Sequence, residues 1–172
     1  VINQKHLEGF GCSAEELKDI TISNSCFKDN IKITTVSQVA MNGLFPEHEP
    51  TIDLTRLREE DDSPMVGVTN KEMLYGASGI LDTDTLKMIA DALENDLYII
   101  PASVHECMAV PVDLADRDFL LELLNSANQL LEKDEILSDQ LYFFDSQKLI
   151  LSTLPDSVLI RHPDPFDKKE SR

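Results

Sequence analysis

The 172-residue sequence contains no tryptophan, only 6 glycines and 3 cysteines, and just 15 lysines and arginines against 32 aspartates and glutamates. Each shortage excludes something. So little glycine rules out a collagen-like chain. No apolar run approaches the roughly 18 to 20 residues that span a bilayer, and no charged leader with an apolar core opens the chain. Cys12, Cys26 and Cys107 are odd in number and lack C-x-x-C spacing, so they build neither a disulfide framework nor a zinc knuckle by themselves. A reducing cytoplasm is the compartment this implies. Cys107, inside Cys107-Met108-Ala109-Val110, reads as a small buried hydrophobe rather than a thiolate nucleophile. The shortage of cations leaves a net charge of −17, which repels phosphate backbones and anionic lipid; direct nucleic-acid or membrane binding is not expected. The acidity reads first as solvated surface, and only then as an acidic docking face or a mimic of nucleic acid.

What is present is a core. With 42% apolar residues, a chain of this length buries roughly 70% of its unfolded surface, enough for one compact domain, or one plus a small appendage. Val1, where an initiating Met would stand, suggests a piece with an upstream part. Ser13-Ala14-Glu15-Glu16 has the S-x-x-E form of a capping box, predicting a helix with Leu17, Ile20 and Thr21 on its apolar face. A shorter helical segment, about Gln4 to Glu8, precedes it and ends at Gly9 and Gly11. Residues 31–36 are β-branched and fit either a strand or an extended surface connection. Residues 46–64 are acidic and poor in apolar side chains and read as a linker, with Ile52-Asp53-Leu54 able to dock locally.

The second half is patterned more strongly. Met65–Thr69 predicts a strand, and Asn70 a turn into a helix over Met73–Leu81 in which Gly76 and Gly79 allow close approach. Asp82 or Thr83 then caps a helix with Leu86, Ile89, Ala90 and Leu93 on one face. Leu97–Ile100 and Met108–Val110 predict a hairpin with the polar tip Pro101–Glu106. Asp113 or Asp116 caps a long helix carrying Phe119, Leu120, Leu123, Leu124, Ala127, Leu130 and Leu131, with Lys133 near its end. Leu141–Phe144 and Lys148–Leu151 flank Asp145-Ser146-Gln147 as a second hairpin. This order predicts an α+β fold: a mostly antiparallel or mixed sheet of about five strands with helices mainly on one face. The expected organisation is an N-terminal helical segment at 1–45, the acidic linker at 46–64, an α+β core at 65–154 and a fraying tail at 155–172.

Four groups of residues carry a resemblance. They are Asn3–Leu7 with Gly11–Leu17; Thr69-Asn70-Lys71 with Tyr75-Gly76-Ala77; Asp96–Glu106; and Leu137-Ser138-Asp139 before Tyr142–Asp145. In that order, from residue 1 to about 151, the chain resembles an uncharacterised bacterial domain-of-unknown-function family of anaerobic gut bacteria, as the C-terminal portion of such a chain. The acidic middle follows the pattern least. The resemblance implies no activity.

The candidates for chemistry are few. His105-Glu106 at the hairpin tip joins an imidazole to a carboxylate, the pairing of a general base or a metal ligand. Adjacent strand residues point to opposite faces, so the two converge only if the tip leaves strand geometry. A metal would need further ligands such as Asp139, Asp145 or Glu72. His105-Glu106-Cys107-Met108 lacks the second His of H-E-x-x-H, which excludes a zincin. The competing reading makes the pair a cap on the hairpin. Asn70, Lys71 and Tyr75 stand at the end of a strand, where loops bind ligands, without any Gly-rich phosphate cradle; the competing reading gives Asn70 a turn and Tyr75 a packing role. Ser103 stands at i−2 from His105 but lacks a nucleophile elbow and a third triad member. His48, between Glu47 and Glu49, offers a weak cation site, and His6 and His162 carry no signal. No cofactor and no metal centre are predicted. The expected function is a soluble noncatalytic module that binds a protein partner or a second copy. The alternatives are an enzyme with a pocket around His105 and Glu106, including metal-assisted hydrolysis, and an acidic inhibitor imitating nucleic acid.

Overall fold

The computed structural model describes residues 4–35, Leu54 and residues 64–154. The acidic linker (apart from Leu54 and Pro64), His48, the tail and His162 lie outside them. Three short helices come first: α1 (Gln4–Phe10), α2 (Ala14–Ser23) and α3 (Ser25–Asn30). The capping box opens α2 as its sequence requires: Ser13 Oγ accepts from the Glu16 N–H at 3.1 Å and Glu16 Oε2 accepts from the Ser13 N–H at 2.8 Å. Ile20, expected on the apolar face, is 59% exposed.

Six strands follow one another in an entirely antiparallel sheet: β1 (Ile31–Thr35), β2 (Val66–Asn70), β3 (Leu97–Ile100), β4 (Cys107–Pro111), β5 (Tyr142–Asp145) and β6 (Ile150–Thr153), in the order β1-β2-β4-β3-β5-β6. Both predicted hairpins are present, as β3–β4 and β5–β6. β1 makes residues 31–35 of the 31–36 run a strand, the sixth of the sheet among the described residues: Ile33 pairs with Val68 and Thr35 with Val66. The β-branched residues earn that place by packing on a sheet rather than running over its surface.

The core divides by strand parity. Leu97 and Ile99 share one face with Val66, Val68, Cys107, Ala109 and Phe144; Tyr98 and Ile100 share the other with Val110. Helix α4 (Thr83–Ala92) covers the first face with Leu86, Ile89 and Ala90, and helix α5 (Arg117–Asn128) covers the second with Leu120 and Leu124. The expectation of helices mainly on one face is corrected at α5. The reason is written in β3: Leu97-Tyr98-Ile99-Ile100 is an unbroken apolar run in a central strand, buried at every position, and such a run needs cover on both sides.

Asp82, not Thr83, caps α4, accepting from the Thr85 N–H at 3.1 Å and from its hydroxyl at 2.7 Å. Lys28 of α3 reaches it at 3.2 Å, tying the N-terminal helices to α4. Burial alone would raise the Asp82 carboxyl, but the bonds from Thr85 and Lys28 outweigh it and hold the group below its ordinary value. Asp116, not Asp113, caps α5, accepting from the Phe119 N–H at 2.8 Å. This helix ends at Asn128, short of Leu130 and Leu131, so its predicted stripe is narrower than its leucines suggest: Phe119 is 62% and Leu130 89% exposed.

The predicted helix over Met73–Leu81 is a turn followed by a 3-10 helix, Gly76–Leu81. Met73 and Tyr75 both have left-handed backbones, with φ of 53° and 56°, which no α-helix accommodates. Asn70 imposes that turn, its Oδ1 accepting from the Leu74 N–H and its Nδ2 donating to the Leu74 carbonyl.

Candidate functional site

Three segments converge at one end of the sheet: the turn after β2, the β3–β4 tip and the loop after α5. The tip is a set of bends, not extended strand. Ser103 N–H donates to the Glu106 carbonyl at 3.1 Å, and the His105 N–H donates to Ser103 Oγ at 3.0 Å. Thr69 Oγ1 donates to the His105 carbonyl at 2.8 Å, and the Val104 N–H donates to the Glu135 carbonyl at 2.9 Å. The Val104 carbonyl accepts from the Ala77 N–H at 3.3 Å. The tip is thereby fastened to both neighbouring segments.

His105 is held at its ring as well. Its Nδ1 accepts from the Tyr75 backbone N–H at 3.0 Å, and the two rings lie tilted with centroids 5.2 Å apart. A backbone N–H can only donate, so Nδ1 is the acceptor and the neutral ring carries its hydrogen on Nε2. Nε2 lies 3.7 Å from Glu135 Oε1. In this tautomer neither ring nitrogen offers a free lone pair: one is engaged by the backbone and the other bears the hydrogen. General-base work and metal ligation through His105 both require breaking the Tyr75 contact.

The sequence-derived candidates therefore separate. The structure gathers His105, Tyr75, Ser103 and Asn70 into one hydrogen-bonded assembly. Ser103 is buried and uses its hydroxyl to accept the His105 N–H, a turn-forming role. Lys71 stays outside this assembly, its backbone N–H donating to the Asn30 carbonyl at 3.0 Å and its side chain exposed. Glu106 is not the carboxylate at the imidazole; Glu135 is, thirty residues further on, and no local pattern marks it. The other proposed ligands lie elsewhere: Asp145 pairs with Lys148 at 2.7 Å, and Glu72 accepts from Asn30 Nδ2 at 2.9 Å. Among the described residues no three or more His, Cys, Asp or Glu side chains are grouped to hold a metal ion. Burial, helped by the charge of Glu106, pushes the Cys107 thiol up to about 12, so at neutral pH it is a protonated thiol facing the Ala77 carbonyl.

Beside this assembly the surface is hollow and apolar. One hollow of about 350 Å³ is lined by Tyr75, Ala77, Ile80, Val104, Leu137, Tyr142 and Leu151, among others; His105 is not in its wall. A second of about 410 Å³ is lined by Leu7, Ala14, Leu17, Lys18, Thr21, Ile22 and Phe27. Ser78 and Leu81 of the 3-10 helix belong to both walls and form the ridge between them. On α2 the lining residues Ala14, Leu17, Lys18 and Thr21 recur at i, i+3, i+4 and i+7, one helical face. Neither α1 nor α2 has a single buried residue. The sequence carried the signal for this face at Leu17 and Thr21, but could not show that its opposite wall comes from residues 78 and 81.

No helix among the described residues is long and apolar enough to cross a membrane. No curated protein and no solved structure matches the chain. The family of unknown function DUF5688 matches residues 1–146, and the chain belongs to it.

Proposed function

We propose that the chain is a noncatalytic protein-binding module whose double hollow receives an amphipathic, cationic segment of another protein. The observation that carries this reading is the apolar channel divided by Leu81, one wall of which is built by helices that bury no residue of their own. An open apolar surface of this kind gains by being covered, because removing it from water contributes roughly 25 cal/mol per Å². The net charge of −17 selects the flanks of the occupant: basic residues on either side of an apolar stripe are attracted, acidic ones repelled. The polar groups of the His105 assembly are engaged with one another, which supports binding over catalysis. The resemblance to an uncharacterised bacterial family supports a bacterial cytoplasm as the setting, where the three free cysteines stay reduced.

Two synthetic helical peptides with identical leucine spacing, one with lysines and one with glutamates on the polar face, test the proposal by fluorescence anisotropy. The lysine peptide is expected to bind and to weaken as salt is raised, while the glutamate peptide does not bind. Leu81→Glu, on the exposed ridge, is expected to weaken that binding at least about tenfold, equivalent to about 1.4 kcal/mol, with melting unchanged. Equal affinity for both peptides, or full binding by Leu81→Glu, would overturn the reading.

A further inference from the structure

We infer that β6 is a pairing edge for a second copy of this chain, joining two sheets across a two-fold axis at Ser152. Among the described residues the two outer strands of the sheet are treated differently by their sequences. β1 carries Lys32 and has Thr34 and Thr35 buried, whereas β6 and the residue before it, Leu149-Ile150-Leu151-Ser152-Thr153, contain no charge and no proline. Charge, proline and bulges are the usual devices that keep an edge from pairing; between Lys148 and Pro155, which flank it in the sequence, this edge has only its shortness. Ile150 is 52% exposed there, at the outer end of the sheet.

The hydrogen-bond phase of β6 fixes which groups face outward. The Leu154 N–H donates to the Leu141 carbonyl at 3.1 Å, so residues 154 and 141 form a hydrogen-bonded antiparallel pair. Alternation along the ladder then turns the backbone groups of Ser152 and Ile150 toward β5, and those of Leu151 and Thr153 away from the sheet. Two copies placed antiparallel about Ser152 bring Leu151 of one opposite Thr153 of the other, both with outward N–H and C=O groups, on each side of the axis. The pattern is self-complementary, as an isologous contact requires. Ser152 meets its own copy at the axis, in the non-hydrogen-bonded pair where side chains come closest, and it is the smallest side chain of the strand. Ile150 of one copy comes opposite Leu154 of the other.

Register, not charge, favours a second copy: the Ile150–Leu154 pairs form twice about the axis and the small Ser152 meets itself. The stretch is neutral inside a chain of −17, so two copies can approach here without opposing carboxylates, while the remaining surfaces repel each other over distances that salt screens. Self-association should therefore strengthen with salt, the opposite of the channel's response to a cationic peptide, and the two proposals fail separately.

The test is sedimentation velocity on the full chain over about a hundredfold range of concentration, at about 0.15 M and about 1 M salt, with hydrogen exchange read at β6. The expected result is a monomer–dimer equilibrium that shifts toward dimer with concentration and salt, with the Leu151 and Thr153 amides protected only in the dimer. Thr153→Pro removes an outward N–H and leaves the bonds to β5, so it is expected to weaken dimerisation at least about tenfold. Ile150→Lys puts a charge at the same edge and is expected to do likewise, which keeps the test decisive where circular dichroism finds the proline variant unfolded. A monomer under all conditions, a dimer indifferent to both substitutions, or amides protected equally at every concentration would overturn the inference; the last would mean the chain covers this edge itself.

Discussion

Replacing Gly76 by alanine is expected to destabilise the protein by about 3 kcal/mol, at the upper end of what a single added methyl does in a packed region. A Cβ at this position would stand 2.3 Å from the Asn70 backbone nitrogen, 2.5 Å from Thr69 Oγ1 and 2.8 Å from the Thr69 carbonyl carbon. Two of those atoms belong to the backbone of β2, which is paired to β1 and β4 and cannot retreat without disturbing both ladders. The same displacement would loosen the Asn70–Leu74 clasp and draw the Tyr75 N–H away from His105 Nδ1. Gly9→Ala is the control. Nothing lies within 4 Å of a Cβ there, and alanine in a helix is favoured over glycine by roughly 0.5 to 1 kcal/mol. Urea denaturation of the two variants reads the contrast directly; a Gly76→Ala protein as stable as the parent would mean that the turn is not seated against β2 as described.

The second large effect lies on α5. Leu124→Ala is expected to lower stability by about 2 to 5 kcal/mol, the range for truncating a fully buried leucine, while Leu123→Ala is expected to change it by less than about 0.5 kcal/mol. The two residues are neighbours in sequence and identical in chemistry. Leu124 is wholly buried among Tyr98, Ile100 and Val110 on the second face of the sheet, whereas Leu123 is 42% exposed. Similar losses for both variants would show that α5 is seated differently on that face.

Much of this framework was legible in the residues. The S-x-x-E box, the Leu86, Ile89, Ala90 and Leu93 stripe and both hairpins follow from local pattern, because caps, helical spacing and turns involve neighbours in sequence. The same patterns went astray where distant parts decide. Leu130 and Leu131 continue the helical spacing of α5, yet the chain leaves the helix at Asn128, where the Asn128 side chain donates to the Ser138 carbonyl at 3.0 Å. Gly76 and Gly79 suggested a helix closely approaching neighbouring backbone; the close approach is real, against β2, but the local geometry is a 3-10 helix. At the site, the adjacent pair His105-Glu106 misleads for the same reason. Adjacency in sequence puts no carboxylate on the imidazole; a loop thirty residues away supplies Glu135, and a backbone N–H from residue 75 occupies the nitrogen a base would use.

The central claim is that the polar residues at the hairpin tip hold one another, which leaves the apolar channel as the surface we propose for a partner. Long-range 1H–15N correlation of the His105 ring tests it most directly. The account predicts an Nδ1 that behaves as a hydrogen-bond acceptor and an Nε2 that carries the hydrogen in the neutral ring. A hydrogen on Nδ1, with the Nε2 lone pair open to solvent, would contradict it and return His105 to the list of reactive groups.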